Sequence, residues 1–347
     1  MATLRELSEI TGYSIATISR VLNEDETLKV TESTRKMILE AAGRAEYSNK
    51  HLANKKISPE GYLKVGIVEM DATQDSGKDP YYLYLKSDVE KSCFSNGMET
   101  FVMQFDPEER CYRSAVSREL DGILAIGQFR EDQIAAMRKC SSKIVFVDSS
   151  PYPERFCSVI PDYEVGIRQG MDYLMEEGHR KIVFVGPEFS TDSTNRQALE
   201  LRRKFFLDYL EQCKEIELQG FLLGTEKQGE DAAERVMEYV KNIKDAEHRP
   251  TAFFAFNETA ALGVLRAIQI MGYQVPEDFS VLSYNDTVLA TMTQPQMSGI
   301  GIHIEEMAEN AVWLLERATR SERMLPLKIV VPSTLKVRGS VKPVYPF

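Results

Sequence analysis

The sequence is poor in the residues that perform covalent or metal chemistry. Four histidines and five cysteines occur in 347 residues, and Cys93, Cys111, Cys140, Cys157 and Cys213 are scattered with no C-x-x-C pair. Such spacing argues against a disulfide framework and against a zinc site. His51, His179, His248 and His303 have no companion at metal or triad spacing. No G-x-S-x-G, P-loop or H-E-x-x-H motif is present, and Gly299-Ile300-Gly301 lacks the third glycine of a dinucleotide fingerprint. An enzyme reading therefore finds little support, and no cofactor is expected. No apolar run approaches the length of a membrane span. The N-terminus reads as a capped polar helix, not as a charged stub followed by an apolar core, so no signal peptide is expected and the cytoplasm is the expected location.

A surplus of base is lacking too. The net charge of −11 at first sight argues against a nucleic-acid partner. Residues 1–56, however, hold nine Lys/Arg against eight Asp/Glu, so the acidity sits in the rest of the chain. A segment near neutrality predicts only a modest salt dependence if it meets phosphates.

What is present in that segment is a pair of short helices and a third behind them. Thr3-Leu4-Arg5-Glu6 fits a capping box, and Leu4, Leu7 and Ile10 make an apolar stripe that ends near Thr11-Gly12. Gly12-Tyr13 is a tight turn. Ser14 is a suitable N-cap for the run Ile15 to Asn23, in which Ile18, Val21 and Leu22 recur at helical spacing. Ile15 and Ala16 then lie in the opening turn and Arg20 faces elsewhere, as in a recognition helix of a helix-turn-helix. Arg20 can donate two parallel bonds to guanine, and Ile15 and Ala16 can touch thymine methyls. The polar loop Glu24 to Val30 follows, with Thr31 as the cap of a third helix whose inner face carries Met37, Ile38, Ala41 and Ala45. An ordinary amphipathic helix shares this spacing, so the flanking turns carry the reading.

The run Ala2-Thr3-Leu4 through Ile18-Ser19-Arg20-Val21-Leu22-Asn23, with Val30-Thr31 and Thr34-Arg35 after it, resembles the lactose/galactose repressor family of bacterial transcription regulators. The resemblance extends over the chain and is strongest to the galactose and evolved-β-galactosidase repressors. It implies DNA contacts from Thr3, Ser14, Ile15, Ala16, Thr17, Ser19, Arg20 and Asn23. It also implies that the polar stretch from Tyr47 to Gly61 folds into a hinge helix whose leucine wedges into the minor groove. Here Lys55 and Lys56 stand where that leucine is expected, and Leu52 is the substitute from a shifted register; a flexible basic tether is the other reading.

Beyond residue 61, short Val/Ile/Leu/Phe runs bounded by Gly or Asp alternate with helical patterns. Strands are expected at Lys64–Met70, Thr100–Phe105, Gly122–Ile126, Lys143–Val147 and Val159–Ile160, then at Lys181–Val185, Phe221–Leu223, Ala252–Phe256 and Val281–Tyr284. Two such series predict two doubly wound parallel-sheet lobes, of the periplasmic-binding-protein type by the resemblance. The expected organisation is a small all-α helix-turn-helix domain (1–46), a hinge (47–61), lobe one (62–161 and 296–325) and lobe two (162–295 and 326–340). The resemblance implies crossings near Asp162, Gln294-Pro295 and Leu325-Pro326.

Ligands of open α/β sheets sit beyond the carboxyl ends of the strands. Asp71, Asp148, Asp162, Asn257 and Asn285-Asp286 stand at such ends. Carboxylates and amides there suit a polyol, and Tyr81-Tyr82 after Asp79-Pro80 can give the aromatic face a sugar ring needs. The resemblance assigns effector-binding roles to Tyr81, Tyr82, Asp162, Arg202, Asn257 and Asn285, with Arg203 a competing register for Arg202, and strand-end position adds Asp148. Any of these Asp or Asn residues serves equally as a turn former or helix cap. The expectation is a repressor of a galactose or β-galactoside operon that binds double-stranded operator DNA as a homodimer and is released by a small sugar. No heptad tail is seen after Ser340, which favours a dimer over a tetramer. A corepressor- or partner-switched regulator and a pure sugar-binding protein are the rival readings.

Overall fold

Ser14 caps its helix as its position predicts, its Oγ accepting the Thr17 amide at 3.1 Å. The computed structural model describes residues 4–22, 30–31, 34, 37–38, 41, 62–70, 79–114, 119–213, 218–225, 229, 231–243, 249–321 and 324–344. The chain divides into two units, Met1–Gly61 with Ser95–Gly97 and Tyr62–Phe94 with Met98–Phe347. In the first, helix α1 (Leu4–Thr11) and helix α2 (Ile15–Leu22) join through Gly12, whose φ of +72° is readily adopted only without a Cβ. Ser8 donates to the Tyr13 carbonyl and tightens that turn. Thr31 Oγ1 accepts the Thr34 amide, and Thr34, Met37, Ile38 and Ala41 have helical backbone. Leu7, Ile18, Val21 and Ile38 form the buried cluster of this unit.

Two expectations fail here. Ile10 is 63% exposed and Met37 51% exposed, although both were expected on inner faces. The core is filled by Leu7 and Ile38, and an eight-residue helix turns too little buried surface inward to use three apolar positions. The hinge 47–61 and the loop from Asn23 to Lys29 lie outside the described residues.

The second unit holds two sheets. Among the described residues, the first has seven strands in the order β14-β6-β5-β4-β1-β2-β3 and the second six, β10-β7-β11-β12-β13-β15. The strands of lobe one are β1 (Leu63–Glu69), β2 (Met98–Asp106), β3 (Cys111–Ser114), β4 (Gly122–Ile126), β5 (Ile144–Val147), β6 (Cys157–Asp162) and β14 (Lys328–Pro332). Those of lobe two are β7 (Lys181–Pro187), β10 (Gln219–Thr225), β11 (Ala252–Ala255), β12 (Ser280–Asn285), β13 (Ser298–Gly301) and β15 (Thr334–Lys336), and a separate hairpin pairs β8 (Phe189–Thr191) with β9 (Gln197–Leu199). Central strands are parallel; β3 and β15 run antiparallel at the edges.

Strand periodicity explains why the apolar runs are unbroken. Leu124 and Ile126 of β4 and Val145 and Val147 of β5 enter one buried cluster. Ile123, Ala125, Ile144 and Phe146 enter another on the opposite face. Helices α3 (Pro80–Ser95) and α10 (Ile304–Arg320) cover the first face, and α4 (Glu131–Cys140) the second. Lobe two is built alike with α5 (Tyr163–Glu176), α6 (Leu201–Gln212), α7 (Ala232–Lys241), α8 (Glu258–Ile270) and the short α9 (Val288–Met292). No described helix is long and apolar enough to cross a membrane.

The chain crosses between lobes after Asp162, and its other two crossings lie beyond the prolines at 295 and 326. Ser298–Gly301 follows cis-Pro295 and still pairs with β12 of lobe two. Lys328–Pro332 follows Pro326 and pairs with β6 of lobe one. The crossings therefore fall at Ile302-His303 and Ser333. Proline marks an irregular backbone, but strand pairing decides which sheet the next residues join. The three crossings are tied together: Ser333 Oγ bonds the Asp162 carbonyl at 3.2 Å, and Thr334 Oγ1 bonds His303 Nε2 at 3.2 Å.

Candidate effector site between the lobes

Val147 is the last apolar residue of β5, and the chain then turns sharply, placing Asp148 at φ +66° at the carboxyl edge of sheet one. Asp148 is buried, and three phenols satisfy it. Tyr81 and Tyr82, in the first turn of α3, donate to Oδ1 at 3.2 Å and Oδ2 at 2.8 Å. Tyr163, at the start of α5 in lobe two, donates to Oδ1 at 2.8 Å. Burial raises the Asp148 pKa, and the three hydroxyls and Arg202 oppose that rise. Burial, then the Asp148 charge, holds all three tyrosines well above the ordinary phenol value. The group is thus a buried carboxyl ringed by three O–H donors.

Arg202 stands beside it. Glu200 caps α6 by accepting the Arg203 amide and takes the Arg202 Nε at 2.7 Å. Arg202 Nη1 reaches the Phe256 carbonyl at 2.8 Å. The guanidinium lies over the Tyr163 and Phe256 rings at 4.8 Å each and over Tyr284 at 5.6 Å. Burial works to lower its pKa, but Glu200 and Tyr163 keep it raised, so the cation is permanent. Arg203 turns the other way and donates to the Pro187 and Gly186 carbonyls, so Arg202 is the one of the two that lies among the aromatic rings.

A third group joins the lobes. Asp79 accepts the Tyr81 amide through Oδ1 and Asn257 Nδ2 through Oδ2 at 2.9 Å. Asn257 ends β11, and its Oδ1 caps α8 by accepting the Ala260 amide. Next to it Glu258 is fully buried: Oε1 accepts the amides of Thr287 and Ala290, and Oε2 accepts the Thr287 hydroxyl. Burial pushes the Glu258 carboxyl up to about 7, with Asp79 adding to the rise.

The structure brings Tyr81, Tyr82, Asp148 and Arg202 into one constellation, and links Asn257 to it through Asp79. Asp162 is used as the cap of α5, accepting the Val165 amide. Asn285 is buried at the end of β12 with φ +92° and receives the Ile302 amide on its carbonyl. Tyr163, Glu200, Phe256 and Tyr284 were missed by the sequence reading. Tyr163 directly follows the recognised Asp162 and was the one with a legible signal. In the first unit Ile15 is 45% exposed, Arg20 is exposed, Ser14 is a cap and Thr17 is bonded to Ser14. Thr3, Asn23, Leu52, Lys55 and Asp71 lie outside the described residues, as do the side chains of Ala16 and Ser19.

A periplasmic binding protein-like domain family matches residues 171–341. The chain is 31% identical over 346 residues to the HTH-type transcriptional regulator GalR of Streptococcus thermophilus, covering 99% of this chain and 100% of that protein. It is 28% identical over 343 residues to the HTH-type transcriptional regulator GanR of Bacillus subtilis, covering 98% and 100%. Among solved structures, a transcriptional regulator CelR–cellobiose complex aligns with TM-score 0.64 at 20% identity, covering 98% of this chain and 100% of that one. The lac repressor dimer bound to operator and the anti-inducer ONPF aligns with TM-score 0.64 at 21% identity, covering 98% and 99%. With a relative of that identity matched over its whole length, and with two doubly wound lobes behind a helix-turn-helix, the chain belongs to the LacI/GalR family of transcriptional regulators.

Proposed function

We propose that this chain is a cytoplasmic repressor of a galactose or β-galactoside utilisation operon, bound as a homodimer to a palindromic operator and released by a sugar held between its lobes. The observation that carries the reading is the Tyr81–Tyr82–Tyr163–Asp148 group beside the caged Arg202. It sets side by side, between the lobes, the hydroxyls, the carboxyl and the aromatic faces that a polyol is recognised by. Arg202 is already paired with Glu200 and its ring faces are covered, and three acidic side chains, Asp79, Asp148 and Glu200, stand around it, which suits a neutral sugar better than a phosphorylated one. One recognition helix buries little surface, and two on a two-fold axis read a palindrome. Thermodynamic linkage requires a sugar that prefers the DNA-free arrangement to weaken operator binding by the same factor.

The test is binding to a palindrome from the gene's own upstream region at fixed salt, with titration of galactose, lactose and allolactose. Release by one of them establishes the repressor and its effector. Tight binding untouched by every sugar overturns the effector assignment. Arg20→Ala is expected to lose about 1–3 kcal/mol of operator discrimination with sugar affinity unchanged; retained discrimination removes Arg20 from the DNA-reading surface.

A further inference from the structure

The hairpin β8–β9 projects from the carboxyl end of β7, and most of its residues are exposed. It buries too little apolar surface to be held by packing, yet it is rigidly built at both ends. At its base the buried Arg203 donates to the carbonyls of Gly186 and Pro187, and the Glu200 amide bonds the Glu188 carbonyl at 3.1 Å. At its tip Asp192 Oδ1 accepts the amides of Thr194 and Arg196 and the Thr194 hydroxyl, with Asn195 at φ +61°.

What the hairpin touches is the other lobe. Gln128, in the loop after β4, donates to Ser190 Oγ at 2.8 Å and accepts from Thr191 Oγ1 at 3.2 Å. Tyr152, in the loop after β5, donates its amide to the Ser193 carbonyl at 2.7 Å, and its hydroxyl reaches the Thr194 carbonyl at 3.4 Å. Tyr152 is fixed in turn by Glu131, which accepts its hydroxyl, and by Arg155 over its ring. These contacts lie at the carboxyl edges of β4, β5 and β7, the edges that face the cleft.

We infer that the hairpin Phe189–Leu199 is a latch that straps lobe two to lobe one outside the effector site, with Gln128 and Tyr152 as its catch. Opening the lobes requires breaking these bonds along with those from Tyr163 to Asp148 and from Asn257 to Asp79, so the latch adds to the barrier a leaving ligand must cross. Its role in ligand release rests on the effector reading above; its role in closure does not.

Dyes placed through unnatural amino acids at exposed Lys139 on α4 and Glu234 on α7 report lobe separation in the full chain by single-molecule energy transfer, with the native thiols untouched. Gln128→Ala is expected to raise the ligand-free open population roughly tenfold, the change that two ordinary hydrogen bonds carry. The double change Ser190→Ala with Thr191→Val should do the same from the other side. Combining all three should add nothing further, because both variants remove the same bonds. Galactose dissociation should quicken by a similar factor. Unchanged distances in both variants, or fully additive effects, overturn the latch. Shifted distances with no galactose binding even in the unaltered protein leave the latch standing and defeat the sugar reading instead.

Discussion

Glu258 gives the most exacting prediction, because its proton is linked to folding. Its carboxyl is completely buried and its pKa rises from 4.5 to about 7. Between those values the folded chain keeps a proton that the unfolded chain releases, so stability falls as pH rises through that window. The cost is absent below about pH 4 and complete above about pH 8. A shift of that size corresponds to about 3 kcal/mol. Glu258→Gln retains the bonding pattern: the amide oxygen still accepts from Thr287 and Ala290, and the amide nitrogen donates to the Thr287 hydroxyl, which reverses its role. The variant is expected to match the unaltered chain within about 1 kcal/mol at pH 5 and to exceed it by about 3 kcal/mol at pH 8. Urea unfolding of both proteins at the two pH values measures this directly. Contributions common to both chains cancel in the difference, including that of the buried His179, whose pKa burial lowers to about 4. Parallel stability profiles would refute the assignment of a proton to Glu258 in the folded state.

Arg202→Lys keeps the charge but loses the fork that reaches both Glu200 and the Phe256 carbonyl. It is expected to cost about 2 kcal/mol of stability and at least roughly tenfold in galactose affinity, read by thermal unfolding and titration calorimetry; unchanged affinity removes Arg202 from the effector site. Gly166→Ala sets two effects against each other. Helix propensity favours alanine by about 1 kcal/mol, but its Cβ would stand 1.9 Å from Tyr284 Oη and 2.9 Å from Ile300 Cγ2. The collision is buried and should win, with a net loss of about 1–3 kcal/mol in urea unfolding; a stabilised variant would show that Tyr284 moves freely.

Much of this fold was legible because it is encoded locally. Ser14 and Thr31 announce helix starts by the bonds their hydroxyls make within one turn. The strands of both lobes announce themselves as apolar runs because each is covered on two faces. Motif and strand-end position singled out Asp148, Arg202, Asn257 and the Tyr81-Tyr82 pair as candidates, and the structure places Asp148, Arg202 and the tyrosines near one another. Their partners were not singled out: Tyr163, Phe256 and Tyr284 meet Arg202 from three other chain segments, and Glu200, only two residues away, pairs with it because it caps the same helix. The same limit applies to the two lobe crossings beyond the prolines at 295 and 326, at Ile302-His303 and Ser333, because register between distant strands decided the sheet. It also hid the hairpin, whose short exposed strands have no periodicity strong enough to read. Caps, apolar runs and the DNA-reading helix depend on neighbours within a few residues, and the sequence by itself determined them. The Asp148–tyrosine–Arg202 group and the hairpin contacts outside it depend on residues far apart in the chain, and only the tertiary structure decided those.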